Sequence, residues 1–510
     1  MSGRKRITSI QNNISTLFIL YMVTVYPLIM HNKYFDITST KYKTFEIGVC
    51  IYAVLMAVAV VVDVLCDRRH NQGGHGSVNE AEKQKGIGHI CSRYNIRSID
   101  IWFAGFILAN TAAFAVAENK MAAYTGEDGR MCGLQFMLLV MFMYICLARK
   151  YRFTGIELPA YMVTGTGMAV IAVLQFVGLD VLGLRKGLSV NIEHIYISTI
   201  GNIDIFASFL CVLVPVAMGV YLCDDALWRR IIAGVVIASG MAAAVVTNAN
   251  LAYAGIGMAV VILILVAVYR GAVTRLVEVV ALMTGGCVAV RLALRATDSS
   301  VLEGISLFMA DSKAVVVVFL MCVAVAGCMR YACSRHPEYS VSGRKPCICV
   351  GSAMTVMAVI LGVFLISKGY GRIDDSWGTY RGYVWNRLIS IYSDFPLHKK
   401  LFGNGNESVK ALMKGQYYDE MMNLVGVVYD NAHNEYLQYL VTTGLVGLVT
   451  YAGFLVSAFV MALKSHTGLA LGIAGYAAQA VFNLNQPLTT PLLFLLAAMA
   501  VGLGRHMDKR

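Results

Sequence analysis

The chain alternates long apolar runs with short polar breaks. Runs of about twenty residues with few charges match the length of a helix that crosses the hydrocarbon core of a bilayer. About fourteen such runs can be placed, near 14–30, 46–66, 99–117, 131–148, 157–177, 203–222, 231–248, 251–269, 276–292, 313–329, 347–367, 440–463, 468–484 and 491–504. The pattern predicts an all-α integral membrane protein with about 14 transmembrane helices (12–14). Two stretches interrupt it. Residues 67–98, rich in Gly, Asn, Gln and charge, read as a flexible loop; residues 368–439 form a second, longer insertion. The expected organisation is a membrane domain of eleven helices (1–367), the long loop (368–439), and a final three helices with a C-terminal tail (440–510).

Composition supports this reading. Of 510 residues, 58% are hydrophobic and 14% charged, against roughly 45–50% and about 25% in a soluble domain. The mean hydropathy is +0.65. Such a chain has too little polar surface to cover a water-soluble core, which excludes secreted, nucleic-acid-binding and disordered classes. The net charge of +12 follows topology: Arg4, Lys5 and Arg6, then Arg68 and Arg69, then Arg149, Lys150 and Arg152, then Arg229 and Arg230 recur on one side. This is the positive-inside bias. It puts both termini and the 67–98 loop in the cytoplasm and the 368–439 loop outside the cytoplasmic membrane. The first run lacks a small-residue cleavage site after it and reads as a retained span. The 13 cysteines are scattered, and none falls in the long loop, so neither disulfides nor a thiolate metal site is expected.

The 368–439 loop carries the chemistry-bearing pattern. It holds Trp377 and Trp385, two of the four tryptophans, and is rich in Tyr. Tyr380, Val384, Leu388 and Ile391 recur at helical spacing over 380–395, and Pro396 follows, which suits a helix end. Phe402-Gly403-Asn404-Gly405-Asn406 reads as a turn, and a second helical stretch begins near Asp430 and runs into the span at 440. The segments in order are WGTYRGYVWNRL from Trp377, the FGNGN turn, DNAHNEYLQ from Asp430, and TGLVG from Thr443.

This series resembles the extracytoplasmic loop of the O-antigen ligase/polymerase family, polytopic bacterial membrane proteins with an Arg before a helix, a Gly-x-Gly turn, an H-N-x-x-L-Q motif and a T-G-x-x-G start to the next span. The matching positions are Arg381, Gly403 and Gly405, His433, Asn434, Leu437 and Gln438, and Gly444 and Gly447. A weaker echo at 198–204, STIGNID, resembles the family's glycine-asparagine stretch before a mid-chain span. Three features depart from the family pattern. Residues 247–253 lack the basic residue the family often has there, Asp204 stands where a second Asn is usual, and Lys399-Lys400 precede the turn.

The resemblance implies transfer of a glycan from a polyprenyl-diphosphate carrier to a glycan or glycolipid acceptor, as ligase or as polymerase. Charge developing on the leaving diphosphate suits a guanidinium, and an acceptor hydroxyl suits an imidazole base. Arg381 and His433 are therefore the expected catalytic pair. Asn434, Gln438, Asn202, Asp204 and Arg372 are expected to bind substrate, with Arg291 and Arg295 as candidates for the missing family arginine. Read alone, Arg381 is more often an interfacial anchor than a ligand, and His433 more often a loop histidine bonded to backbone; their motif context is what favours the functional reading. The loop aromatics fit a headgroup belt as well as sugar stacking. No glycine pattern for nucleotides and no paired carboxylates for a metal are evident, so no cofactor and no metal are expected. A transporter or flippase of lipid-linked glycans and a peptidoglycan-type polymerase remain as alternatives. The former would show broken spans in paired halves, and the latter would lack H-N-x-x-L-Q.

Overall fold

The computed structural model describes residues 3–71, 96–126, 129–296, 302–335, 343–367 and 373–507. Most of the 67–98 loop, and Arg372, lie outside these residues. Among the described residues the chain is mostly helical, and the strands amount to one antiparallel ladder, Tyr196–Ile197 against Gly201–Asn202. Nine helices among them are long and apolar enough to cross a bilayer. The protein is an all-α, multi-pass membrane protein.

Two of the other expected spans, 14–30 and 468–484, depart from a simple crossing helix for visible reasons. The first α-helix, Gly3–Leu20, gives way to a π turn at Tyr21–Val25 and a 3₁₀ turn at Tyr26–Leu28. Pro27 has no N–H to continue a helix. The chain leaves the helix after Leu28, and the last carbonyls are taken by fully buried Lys41, whose Nζ donates to the Tyr26 oxygen at 3.0 Å and the Pro27 oxygen at 2.7 Å. The run expected at 468–484 is helical only over Thr467–Gln479. Beyond it the backbone is irregular up to the Thr490–Met507 helix. Irregular backbone at membrane depth is tolerated where protein covers it or a polar cavity adjoins it, and Asn483 there donates to the Asp204 carbonyl at 3.2 Å.

The centre of the bundle is Ile203–Cys223, of whose apolar window 89% is buried. It packs against Thr467–Gln479, Leu227–Val246 and Leu251–Arg270. Small residues permit this approach: a Cβ on Gly219 would meet the Gly468 backbone at 2.5 Å, and one on Gly255 would meet Cys211 Sγ at 2.5 Å. In a bilayer, where apolar association gains nothing over lipid, close packing at small residues is a main source of helix association. Acidic residues near other helix ends have local partners. Asp100 pairs with Arg149 at 3.1 Å, Glu157 accepts from the Gly155 N–H at 2.9 Å, and Glu278 is bonded to Arg330 and Tyr221.

Residues 373–441 close over a core of their own. Tyr383, Val384, Leu388, Ile391, Val409, Met413, Met421, Ala432 and Val441 are buried together. The expected helix is present as Trp377–Asp394, and a further helix, Val409–Leu424, was not anticipated. Val409, Met413 and Met421 are its buried positions, and a kink at Tyr417 (φ −132°) keeps its apolar residues from forming one continuous helical face. Arg387 ties the layers together, pairing with Asp375 at 3.0 Å and Glu420 at 2.6 Å while its guanidinium lies over Tyr383.

Candidate functional site

The two glycine motifs fold against each other. Glu435–Ser465 is interrupted at Gly444, which takes φ 71°, ψ −173°. The break leaves carbonyls without helical partners, and the turn supplies them: Asn404 N–H donates to the Val441 oxygen and Gly405 N–H to the Thr442 oxygen, both at 3.0 Å. The turn needs glycine because Gly403 and Gly405 both have positive φ, 80° and 106°, and a Cβ on Gly403 would run into the Thr442 carbonyl. Lys399 Nζ closes the turn by donating to Asn404 Oδ1 at 2.7 Å.

This lock fixes the start of the long helix, and the chain just before it carries His433. Asn434 is the N-cap, its side chain accepting from Leu437 N–H at 3.0 Å, an arrangement worth about 1 kcal/mol to a helix. Gln438, buried one turn on, accepts from Ala432 N–H at 3.0 Å through Oε1. The Ala432 carbonyl in turn receives the Trp385 indole N–H at 2.9 Å. His433 itself has φ 47°, and its N–H donates to Asn431 Oδ1 at 2.8 Å. A non-glycine residue in this region persists only when its surroundings over-determine it; here Gln438, Trp385 and Asn431 do so. Asn434 and Gln438 thus engage the protein's own backbone. Trp385, buried in the loop core beside Trp377 and Phe482, sits inside the loop rather than in a lipid-facing belt.

The mid-chain motif provides the opposite wall. The two-residue ladder turns through Ser198 (φ 56°) and Gly201 (φ 99°) and delivers Asn202 as N-cap of Ile203–Cys223. Asn202 Oδ1 accepts from Asp204 N–H at 2.8 Å. Asp204, in the first helical turn, receives Nη2 of Arg381 at 3.1 Å. Gly378, Thr379 and Tyr380 hold positive φ, and the regular helix begins at Arg381. The sequence order of an arginine at the helix start is therefore literal.

A cavity of about 450 Å³ joins these parts. His433, Asn202, Asp204, Ile205, Asn483 and Leu484 line it, together with 34–39, Met131 and Tyr196, and so do Gly129 and Arg130. Arg130 was not singled out from the sequence. Its guanidinium grips Asp430 through two parallel bonds, Nε to Oδ2 at 3.0 Å and Nη2 to Oδ1 at 2.9 Å. Arg291 and Arg295 do not line the cavity; Arg291 pairs with Asp311 at 3.5 Å on another helix.

The charges acting on His433 at the cavity are those of Arg130, Arg381 and Asp430. Burial first, then the positive charges of Arg130 and Arg381, push the His433 imidazole down to about 4, against a smaller opposing pull from Asp430. His433 is consequently neutral at physiological pH and free to accept a proton. The arrangement offers two guanidinium groups, each aligned by a carboxylate, beside one neutral imidazole. That combination suits an anionic group on one side and a hydroxyl on the other.

Fold and site together define a membrane protein whose polar chemistry is gathered where one irregular loop meets the helical bundle. The family model described as O-Antigen ligase matches residues 299–452 of the chain. The match covers the turn, the helix bearing Arg381, and the His433 segment, and it supports a likeness of this part of the chain to the O-antigen ligase family. The helices indicate a multi-pass membrane protein, and its residues 299–452 are similar to a family described as O-antigen ligase. A search of curated proteins finds no match to the chain.

Proposed function

We propose that this protein transfers a glycan from a polyprenyl-diphosphate carrier to a glycan or glycolipid acceptor, with His433 and Arg381 as catalytic residues. The acceptor oxygen attacks the anomeric carbon of the donor sugar and its proton passes to His433. The bond from that carbon to the diphosphate oxygen breaks, and the electron pair leaves with the diphosphate. Arg381 holds the diphosphate as its charge grows, where a preorganised donor acts most strongly. Asn202 and Asp204 shape the wall that carries Arg381. Arg372 precedes the same helix and is retained as a contributor to substrate binding; Asn434 and Gln438 contribute through the backbone they hold. No metal is needed in this scheme, since guanidinium charge takes the place of a cation, and chelation is expected to leave transfer unchanged.

The observation that carries this reading is the convergence of His433 and Asp204, the partner of Arg381, on one cavity. They come from sequence motifs more than two hundred residues apart. The accompanying topology is about 14 crossings of the cytoplasmic membrane, both termini cytoplasmic, and 368–439 outside as the catalytic loop. Deletion in the native host, with analysis of surface and carrier-linked glycans, tests it. Full-length carrier-linked chains accumulating without attachment identify a ligase, and single carrier-linked units accumulating identify a polymerase. Unchanged glycans in both pools would defeat the proposal.

A further inference from the structure

We propose that Arg130 is a second phosphate-binding arginine of the same site, aligned by Asp430 to share a diphosphate with Arg381. The proposal rests on the donor class inferred above and adds a residue from a part of the chain that no motif marks. Three observations support it. Arg130 lines the cavity that also holds His433, Asn202 and Asp204. Its side chain is about a quarter exposed, as is that of Asp430, so the guanidinium at the cavity wall is open to a ligand while its partner aligns it. Asp430 occupies Nε and Nη2, which leaves the Nη1 edge of the fork unclaimed by that carboxylate. A guanidinium can donate five N–H bonds, so it can hold Asp430 and a phosphate oxygen at once.

Geometry also explains why Asp430 is suited to the task. It lies three residues before His433, and Arg130 therefore bridges the 129–131 turn to the segment that carries the imidazole. Arg130 lines the cavity directly, and Arg381 is held at its edge through Asp204, which lines it, at 3.1 Å. A diphosphate has two anionic centres, and two such forks match it better than one. The empty stretch at 247–253, where the sequence lacks a basic residue, is then compensated from a different loop.

The test uses full-length protein in lipid nanodiscs, titrated calorimetrically with farnesyl diphosphate and, separately, with inorganic pyrophosphate. Losing a hydrogen bond to a charged group predicts that Arg130→Ala weakens farnesyl diphosphate by about 10- to 100-fold. Arg130→Lys is expected to recover part of this, since it keeps the charge and loses the fork. Asp430→Asn is expected to change affinity by much less than Arg130→Ala, because the ligand-binding group remains. Pyrophosphate binding that weakens in Arg130→Ala supports recognition of the diphosphate itself, as opposed to its lipid tail. Unchanged affinity in Arg130→Ala, or equal losses in Arg130→Ala and Asp430→Asn with a matching fall in thermal stability, would mean that the pair is only a structural clamp and overturns the assignment. Loss in Arg381→Ala without loss in Arg130→Ala sinks this inference and leaves the proposed function standing. Wild-type protein that binds neither probe removes both.

Discussion

Lowering the pH is expected to reveal the environment of His433. An unperturbed histidine titrates near 6.5, so at pH 5.5 only about 9% of it is neutral and able to accept a proton. In this protein burial and the charges of Arg130 and Arg381 hold His433 at about 4, which leaves about 97% neutral at pH 5.5. The difference is about tenfold in the active fraction. The sign follows from the direction of the shift. The folded-state value is depressed, so the neutral base persists as pH falls through 6.5 and is lost only as pH falls through about 4. The diphosphate ester of a carrier-linked glycan does not change charge over this interval. Transfer by reconstituted protein, followed as kcat/KM between pH 8 and 4.5, reports the ionisation of the free protein and is expected to stay level to about pH 5. Arg130→Gln should move the acid limb upward, because a positive charge that opposes the imidazolium is gone. An acid limb near 6.5 in the wild type, or no movement of the limb in Arg130→Gln, would refute the reasoning.

Two further outcomes follow from the packing. Gly403→Ala and Gly444→Ala each place a Cβ into backbone, of 442 and 401 respectively, at positive φ. Each should cost about 1–3 kcal/mol from backbone strain alone, read as lowered thermal stability of the detergent-solubilised protein with parallel loss of transfer. Gln438→Leu leaves the buried Ala432 N–H without its acceptor, a loss of about 1–3 kcal/mol. Transfer should fall in kcat more than in KM, since His433 is misplaced while the arginines are untouched; a change confined to KM would contradict the positioning role given to Gln438.

The helical membrane architecture was legible because twenty-residue apolar runs admit few other structures. The glycine motifs were legible too, since positive φ and close backbone approach leave glycine as the tolerated residue at 403, 405 and 444. Less was visible where structure depends on contacts between distant segments. The break at Tyr21–Leu28 reads as continuous apolar sequence, and only Lys41, a charge placed just ahead of an apolar run, hinted at a buried partner. Arg130 escaped notice because its partner Asp430 lies three hundred residues away. One signal was present: it is a basic residue in a short loop on the side that the charge bias leaves poor in Lys and Arg. Asn434 and Gln438 illustrate the reverse case, in which a motif draws attention to residues whose visible bonds serve the backbone around His433.

The most direct measurement is single-turnover transfer from a defined polyprenyl-diphosphate-linked glycan by purified wild-type and His433→Ala protein, at matched folding and reconstitution. Removal of a positioned base predicts a rate lower by about 10²- to 10⁴-fold with donor affinity retained through Arg381. A His433→Ala protein that transfers at close to the wild-type rate would contradict the mechanism.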